Sequence, residues 1–217
     1  QLAGTAVATL EVQYRMHQQI AAFSSREFYS DRLVPHESVR GHRLLELPGV
    51  QAAPLAETPV EFIDTAGAGF DEQPEADGES RLNPGEARVV VHKVRELLTL
   101  GVAAGDIAVI TPYAAQVRLL REQLADCPAL EIDSVDGFQG REKEAVLISL
   151  VRANPAGEIG FLADTRRTNV ALTRARRKLI VVGDSATLAG HDFYRRMLEH
   201  FEQSGAYHTV WEYGLVE

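Results

Sequence analysis

The sequence contains little cysteine and no long hydrophobic run. Cys127 is a single cysteine among 217 residues, so the chain cannot form an internal disulfide, and one thiol cannot frame a zinc site. This usage is typical of a reducing compartment, and we expect a cytoplasmic location. No apolar stretch approaches the roughly 20 residues of a membrane-spanning helix, which predicts no membrane partner. Because the chain begins at Gln1 rather than Met, we expect it to be a fragment of a longer polypeptide.

Positive charge is also in deficit. The chain has 22 Lys and Arg against 31 Asp and Glu, a net charge of −9, which argues against a protein that coats nucleic acid by bulk electrostatics. Any anion site must therefore be local, and residues 164–177 hold five arginines. A helix capped by Asp164 or Thr165 would project Arg167 and Arg174 from nearly the same face. Guanidinium groups suit phosphate binding, and a solvated basic face is the alternative.

Helical and strand-like patterns alternate along the chain and predict one α/β domain over residues 1–217, a parallel sheet with helices on both faces. Residues 1–12 are predicted to be a leading segment, and residues 66–80 a mobile acidic loop. The acidic residues of that loop lack calcium-loop spacing, and no metal site is predicted. Ligands bind at the carboxyl ends of such strands. Residues 111–113, residues 136–142 and Asp184 follow predicted strands, so we expect them to converge on one rim.

Three short stretches carry side chains suited to nucleotides or nucleic acid. Residues 13–17 combine an amide, an aromatic ring and a guanidinium ahead of a helix, where the ring can stack on a base. Residues 111–113 can bond a nucleic-acid backbone and stack a base. Residues 137–142 have glycines that let the backbone approach a ligand, and a carboxylate able to accept from a ribose hydroxyl. Taken singly, residues 13–17 are more typical of an ordinary helix start and residues 111–113 of a turn, whereas residues 137–142 are as typical of a glycine turn as of a ligand site.

Taken together and in order, these stretches resemble the second RecA-like domain of superfamily 1 helicases. The resemblance is strongest to the subgroup of the nonsense-mediated decay and immunoglobulin mu-binding helicases. It covers nearly the whole chain and rests on residues 13–17, 23–29, 82–87, 110–116, 134–144, 151–154 and 166–175. Two positions depart from the usual pattern: Gln18, where proline is frequent, and Thr168, where leucine is frequent and which we expect on the exposed side.

The resemblance implies a role for each matching residue. Arg15 and Arg174 look like arginine fingers that contact the γ-phosphate of ATP. Tyr14 would stack on the base, and Glu142 would bind the ribose or sense the phosphates. Arg167 would support the finger helix. The remaining positions fall into two implied sets, nucleotide-binding Gln139 and Gly140 and nucleic-acid-binding Thr111, Pro112, Tyr113, Ser134 and Asp136. Translocation in this subgroup is typically 5′ to 3′.

The sequence has no Gly-x-x-x-x-Gly-Lys-Ser/Thr loop and no acidic magnesium-binding motif. In this family these motifs belong to the first RecA-like domain, so ATP with Mg²⁺ would be held mainly by a missing N-terminal domain of the same polypeptide. We therefore expect the isolated chain to be an inactive monomer, and its partners to be that domain and single-stranded DNA or RNA. The alternative is a non-catalytic RecA-like module that binds nucleic acid or protein. A nuclease built on Asp64 or Glu142 near Lys143 lacks metal-site spacing.

Overall fold

The fold is built around one six-stranded sheet. We describe it from a computed structural model, which defines residues 10–76, 78 and 80–216. The strands within this part of the chain are β1 Val12–Gln13, β2 Val34–Pro35, β3 Val60–Asp64, β4 Gln73–Pro74, β5 Arg81–Leu82, β6 Ile107–Thr111, β7 Glu131–Ser134, β8 Lys143–Ser149, β9 Ala175–Gly183 and β10 Tyr207–Thr209. The α-helices are α1 Gln18–Tyr29, α2 Glu37–Arg40, α3 Pro54–Glu57, α4 Pro84–Thr99, α5 Ala114–Gln123, α6 Thr165–Leu172, α7 Ser185–Leu188 and α8 Asp192–Gln203.

The central sheet has the strand order β10-β3-β9-β8-β6-β7, and every neighbouring pair is parallel. All six carboxyl ends therefore lie along one edge, which we call the carboxyl edge, and all six starts lie along the opposite amino edge. Two small two-stranded sheets, parallel β1-β2 and antiparallel β4-β5, lie outside it.

Alternating residues of the strands build two separate cores. Phe62 faces the core that contains α1, α6 and α8, whereas the next residue, Ile63, faces the core formed with α4 and α5. Both side chains are completely buried. Burial on both faces explains why these strands appear in the sequence as continuous apolar runs rather than as an alternating pattern. The prediction of a parallel α/β sheet with helices on both faces is confirmed.

At the outer edge of the sheet, β10 ends at Thr209 and a 3₁₀ turn follows over Val210–Tyr213. One predicted detail of the fold is wrong. Thr168 is buried rather than exposed, and its hydroxyl donates to Tyr194 Oη at 2.7 Å. Residues 1–9 of the predicted leading segment lie outside the described residues.

The acidic stretch 66–80 has more defined contacts than the predicted loop. Gln73–Pro74 pairs with Arg81–Leu82 in the small antiparallel sheet. Glu72, next to that strand, accepts from Arg152 Nε at 2.7 Å and from the Ala153 backbone N–H at 2.9 Å. The predicted mobility of the stretch stays a prediction. One of its acidic residues has a structural role, because the carboxylate of Glu72 neutralises the nearly buried guanidinium of Arg152.

A clamp at the start of α4 holds an unusual backbone conformation after β8. Val151 has φ 73°, which is strained for a β-branched residue. Glu86 Oε2 accepts from the Val151 backbone N–H at 2.8 Å, and Asn83 Nδ2 donates to the Val151 carbonyl at 3.2 Å. Asn83 also caps α4, where its side chain accepts from the Glu86 N–H at 2.9 Å. The same two residues thus begin a helix and fix the chain leaving the central strand.

The clamp predicts a pH dependence of stability. Complete burial raises the pKa of Glu86 from its ordinary value near 4.5 to about 8. Between these two pH values the carboxyl group of Glu86 stays protonated in the folded protein, whereas in the unfolded chain it loses its proton. Stability should therefore fall as the pH rises through this window, by at most about 1.4 kcal/mol per pH unit. Glu86→Gln keeps an acceptor for Val151 and cannot ionise, so its urea stability should fall less between pH 5 and 8. Parallel curves for the two proteins would contradict the prediction.

Candidate functional site

The candidate site residues lie at two opposite edges of the sheet. The segment after β7 begins at the carboxyl edge with Asp136 and reaches the amino edge at Glu142, directly before β8. The prediction that all motifs converge on one rim is therefore wrong for Glu142. The physical reason is general, since a connection between two parallel strands has to cross from the end of one strand to the start of the next.

Arg15 is the centre of the cluster at the amino edge. Its Nη1 donates to the Thr173 carbonyl at 3.0 Å, and its Nε pairs with the carboxylate of Glu142. Arg176 Nη1 lies 3.5 Å from the other oxygen of Glu142. The loop that carries Arg15 is fixed by Gln13, whose Oε1 accepts from the backbone N–H groups of Arg15 and Met16 at 2.8 and 2.7 Å. Gln13 thus organises the turn.

Arg174 lies beside Arg15 in the same open cleft. Its Nε donates to the Val170 carbonyl at 2.9 Å, and its Nη2 lies 3.3 Å from the Thr173 hydroxyl. Burial, and then the charge of Arg15, lower the pKa of Arg174 below the ordinary arginine value. The two guanidinium groups are close enough for their positive charges to repel each other. A polyanion that contacts both relieves this repulsion, so it binds more tightly here than beside either group alone.

Tyr14 presents an aromatic surface at the mouth of this cleft. The side chain is 64% exposed, and one ring face stacks on His36 with centroids 4.4 Å apart and planes at 28°. His36 itself is fixed, because its backbone N–H donates to the Gln13 carbonyl at 2.9 Å. Gln139 and Gly140 are exposed in the turn that leads to Glu142, and Gly140 has φ 81°, a conformation that favours glycine.

Helix α6 ends before Arg174, so the prediction that Arg167 and Arg174 share a helix face is wrong. The Thr173 hydroxyl bonds to the carbonyls of Asn169 and Val170 at 2.9 and 3.1 Å, and β9 begins at Ala175. Asp164 occupies the N-cap position of α6, without a side-chain cap bond. The eight residues of α6 span roughly 12 Å, with Arg167 near one edge of the sheet and Arg174 at the other.

The carboxyl edge carries a second cleft between α6 and the ends of β6 and β7. Arg167 lies there, 3.5 Å from Asp136 and 3.5 Å from Asp164. The structure therefore groups Arg167 with the predicted nucleic-acid residues and does not bring it to Arg15 and Arg174. The cleft is lined mainly by Pro112, Ser134, Asp136, Phe161, Leu162 and Arg167.

Two of the predicted nucleic-acid residues are not at the surface. Thr111 is completely buried at the end of β6, and Tyr113 is 3% exposed. The Tyr113 hydroxyl accepts from the Phe161 backbone N–H at 3.3 Å and from Arg152 Nη1 at 3.4 Å. In this conformation Tyr113 supports its neighbours and offers no free ring face. Sequence reasoning missed Phe161, which is 59% exposed; its position directly after Gly160 was the available signal.

Within residues 10–76, 78 and 80–216, no three His, Cys, Asp or Glu side chains are grouped so that they could hold a metal ion. None of the helices in this part of the chain combines the length and apolarity of a membrane crossing.

The six-stranded parallel sheet with helices on both faces matches a RecA-like fold. The chain belongs to the family described as AAA domain, whose model matches residues 1–186. This match, together with the relatives and the solved structure described below, confirms the resemblance to the C-terminal RecA-like domain of superfamily 1 helicases.

The similar proteins include DNA-binding proteins and helicases. DNA-binding protein SMUBP-2 of Mesocricetus auratus is 51% identical over 96% of this chain. DNA polymerase alpha-associated DNA helicase A of Schizosaccharomyces pombe is 42% identical over 90%, and a regulator of nonsense transcripts 1 homolog of Neurospora crassa is 37% identical over 89%. The chain spans 21%, 31% and 18% of their respective lengths.

A solved structure shares the fold. It is described as the C-terminal domain of a possible DNA helicase from Lactobacillus, and it matches with a TM-score of 0.50 and 14% identity. The match covers 91% of this chain and 98% of that one.

Proposed function

We propose that this chain is the C-terminal motor domain of an ATP-dependent superfamily 1 helicase. In this proposal Arg15 and Arg174 act on an ATP site shared with a P-loop domain that precedes it in the polypeptide. The observation that carries the proposal is the meeting of these two arginines in one open cleft. They come from segments 159 positions apart in the sequence, and both contact Thr173.

The chemistry of the amino edge suits the γ-phosphate of ATP. Phosphoryl transfer develops negative charge on phosphate oxygens, and a fixed guanidinium stabilises that charge, with an effect of about 10³-fold or more in rate. Arg174 is held at three points by the end of α6 and by the Arg141 carbonyl. Such a fixed donor loses little entropy when it engages a phosphate.

The same cleft offers the other parts of a nucleotide site. The free face of the Tyr14 ring can stack on the base. The Glu142 carboxylate can accept from the ribose, or it can hold Arg15 until the phosphates draw that arginine away. Gln139 and Gly140 precede Glu142 and bring the backbone close to a ligand. We propose that Mg²⁺ is held by the preceding domain, where it would neutralise part of the phosphate charge.

Single-stranded DNA or RNA is the proposed ligand of the carboxyl edge. Pro112, Ser134, Asp136 and Arg167 line a cleft there, where contacts to sugar and phosphate fix a strand without reading its sequence. Relatives of this chain are named as a DNA-binding protein and as a DNA helicase, which supports a nucleic-acid ligand. By family analogy the direction of movement is 5′ to 3′.

Single-strand-stimulated ATP hydrolysis tests the division of labour between the two domains. We expect no turnover by this chain alone and measurable turnover by a polypeptide extended upstream through the preceding domain, because the P-loop and the arginines then face each other. Turnover by the chain alone would overturn the shared site. An extended, folded protein without turnover would favour the alternative of a non-catalytic nucleic-acid or protein binding module.

A further inference from the structure

Phe161 is an exposed aromatic ring placed where two surface grooves meet. It is 59% exposed and follows Gly160 in the turn between β8 and α6. On one side it lines the cleft of Ser134 and Arg167. On the other side it lines a groove with Pro112 and Arg118. A single exposed apolar side chain is ordinary on a protein surface, so the case for a ligand contact rests on the position of this ring between the two grooves.

The ring is held from beneath by buried polar groups. The Phe161 N–H donates to the Tyr113 hydroxyl, and the two rings lie 5.5 Å apart. Gly160 has φ 52°, and a Cβ there would lie 1.9 Å from Arg152 Nη1 and 2.8 Å from the Tyr113 hydroxyl. Arg152 is itself fixed by Glu72 at 2.7 Å. The backbone under Phe161 therefore has one close-fitting arrangement, which holds the ring in place.

The charges beside the ring suit a polyanion. Arg167 and Arg118 flank it in the two grooves, and both have side chains that are more than half exposed. Arg167 lies 3.5 Å from each of two carboxylates, a separation longer than a normal charge-assisted hydrogen bond, so its donors are available to a stronger acceptor. Arg118 pairs with Glu75. An aromatic face between two cations matches the alternation of base and phosphate in a single strand.

We propose that Phe161 is a stacking platform for one base of a single-stranded nucleic acid that crosses the carboxyl edge. This inference rests on the proposed function and adds to it a residue and a mode of contact. Tyr113, Gly160 and Arg152 act as positioning residues under the platform. Every base offers a π-face, so this contact can form with any nucleotide sequence and suits a protein that moves along a strand.

Stacking has a measurable size. Stacking on an aromatic ring stabilises the binding of each base that makes it, so Phe161→Ala in the complete parent protein should weaken binding of an oligothymidylate of about ten nucleotides by about tenfold. An abasic residue scanned along the oligonucleotide should cause a similar loss at one position. Phe161→Ala should then lose nothing further with that abasic strand, because ring and base contribute through the same contact.

Phe161→Trp supplies a conservative variant and a direct signal. It should bind the intact strand at least as tightly as the wild type. Its added fluorescence, taken as the difference from the wild-type protein, should be quenched by the intact strand and recover with the strand that is abasic at the sensitive position. A purely structural role for Phe161 would not produce quenching that depends on one base.

The outcomes separate this inference from the proposed function. If Phe161→Ala binds like the wild type while Arg167→Ala binds more weakly, the platform is overturned and the nucleic-acid cleft stands. Lower turnover by Phe161→Ala with unchanged strand affinity would also overturn it, since the ring would then contact another protein segment. If the wild-type protein binds no single strand at all, both the inference and the proposed nucleic-acid role fail.

Discussion

Replacing Arg174 by alanine should reduce ATP turnover by the complete motor by about 10³-fold or more while the domain stays folded. Arg174 lies in the open cleft of the amino edge, and its side chain contacts the Val170 and Arg141 carbonyls and the Thr173 hydroxyl. These hydrogen bonds are partly open to water, so their loss should cost only about 1 kcal/mol of stability. The loss of charge stabilisation in phosphoryl transfer is far larger.

The measurement is the single-strand-stimulated kcat, with ATP affinity and thermal unfolding recorded on the same proteins. Arg166→Ala is the matched control, because Arg166 is an exposed arginine on α6 near the opposite end of the helix. We expect the control to turn over ATP like the wild type. Arg174→Lys should remain strongly impaired, since an ammonium cannot reproduce the planar fork. Normal turnover by Arg174→Ala would refute the assignment of Arg174 as a finger.

Replacing Glu61 by leucine should destabilise the domain by about 3–5 kcal/mol, because it leaves buried ammonium groups without their shared carboxylate. Lys178 Nζ lies 2.6 Å from Glu61 Oε1, and Lys93 Nζ lies 3.8 Å from Glu61 Oε2. None of the three residues is more than 5% exposed. Burial alone would raise the pKa of Glu61, and the charges of Lys178 and Lys93 outweigh it, so the pKa is lowered.

Urea unfolding of single and double variants separates the broken pair from lost packing. The double variant Glu61→Leu, Lys178→Met removes the unpaired Lys178 charge, and Lys93 keeps its ion pair with Glu96 at 3.0 Å. Its free energy of unfolding should therefore regain most of what Glu61→Leu alone loses. Asp126→Asn breaks an exposed bidentate pair with Arg95 at 2.9 and 3.1 Å, and should leave the urea midpoint almost unchanged because water screens the pair. A double variant no more stable than Glu61→Leu would contradict the explanation by an uncompensated charge.

The sheet was predictable because its strands are buried on both faces. Continuous apolar runs such as Ile107–Thr111 are separated by helices with clear start signals, above all Asn83-Pro84 at α4. The end of α6 was not predictable in the same way. Residues 169–173 are compatible with a helix, yet α6 ends at Leu172 and β9 begins at Ala175. The Thr173 hydroxyl bonds to the Asn169 and Val170 carbonyls, as it can also do within a helix, and the sequence pattern does not mark this position as a helix end.

It was harder to predict which candidate residues share a cleft than to select the candidate residues. The structure places Arg15, Arg174 and Glu142 in one cleft, whereas Arg167, which was grouped with them from the sequence, lies at the other edge. Residue type alone cannot tell which edge an arginine occupies, because both phosphate of a nucleotide and phosphate of a strand favour a guanidinium. Phe161 was missed because a single apolar residue in a turn is ordinarily a core contact, and only its 59% exposure shows otherwise.

Helix α6 gives the molecule a mechanical property. It begins beside the cleft of the carboxyl edge and ends beside the cleft of the amino edge, and Thr168, Ala171 and Leu172 anchor it in the core. A short helix packed in this way moves as a rigid body, so a displacement of its first turn also displaces its last turn. We therefore expect the domain to move as one rigid unit, so that in the proposed helicase the movement linked to ATP hydrolysis takes place at the junction with the proposed neighbouring domain.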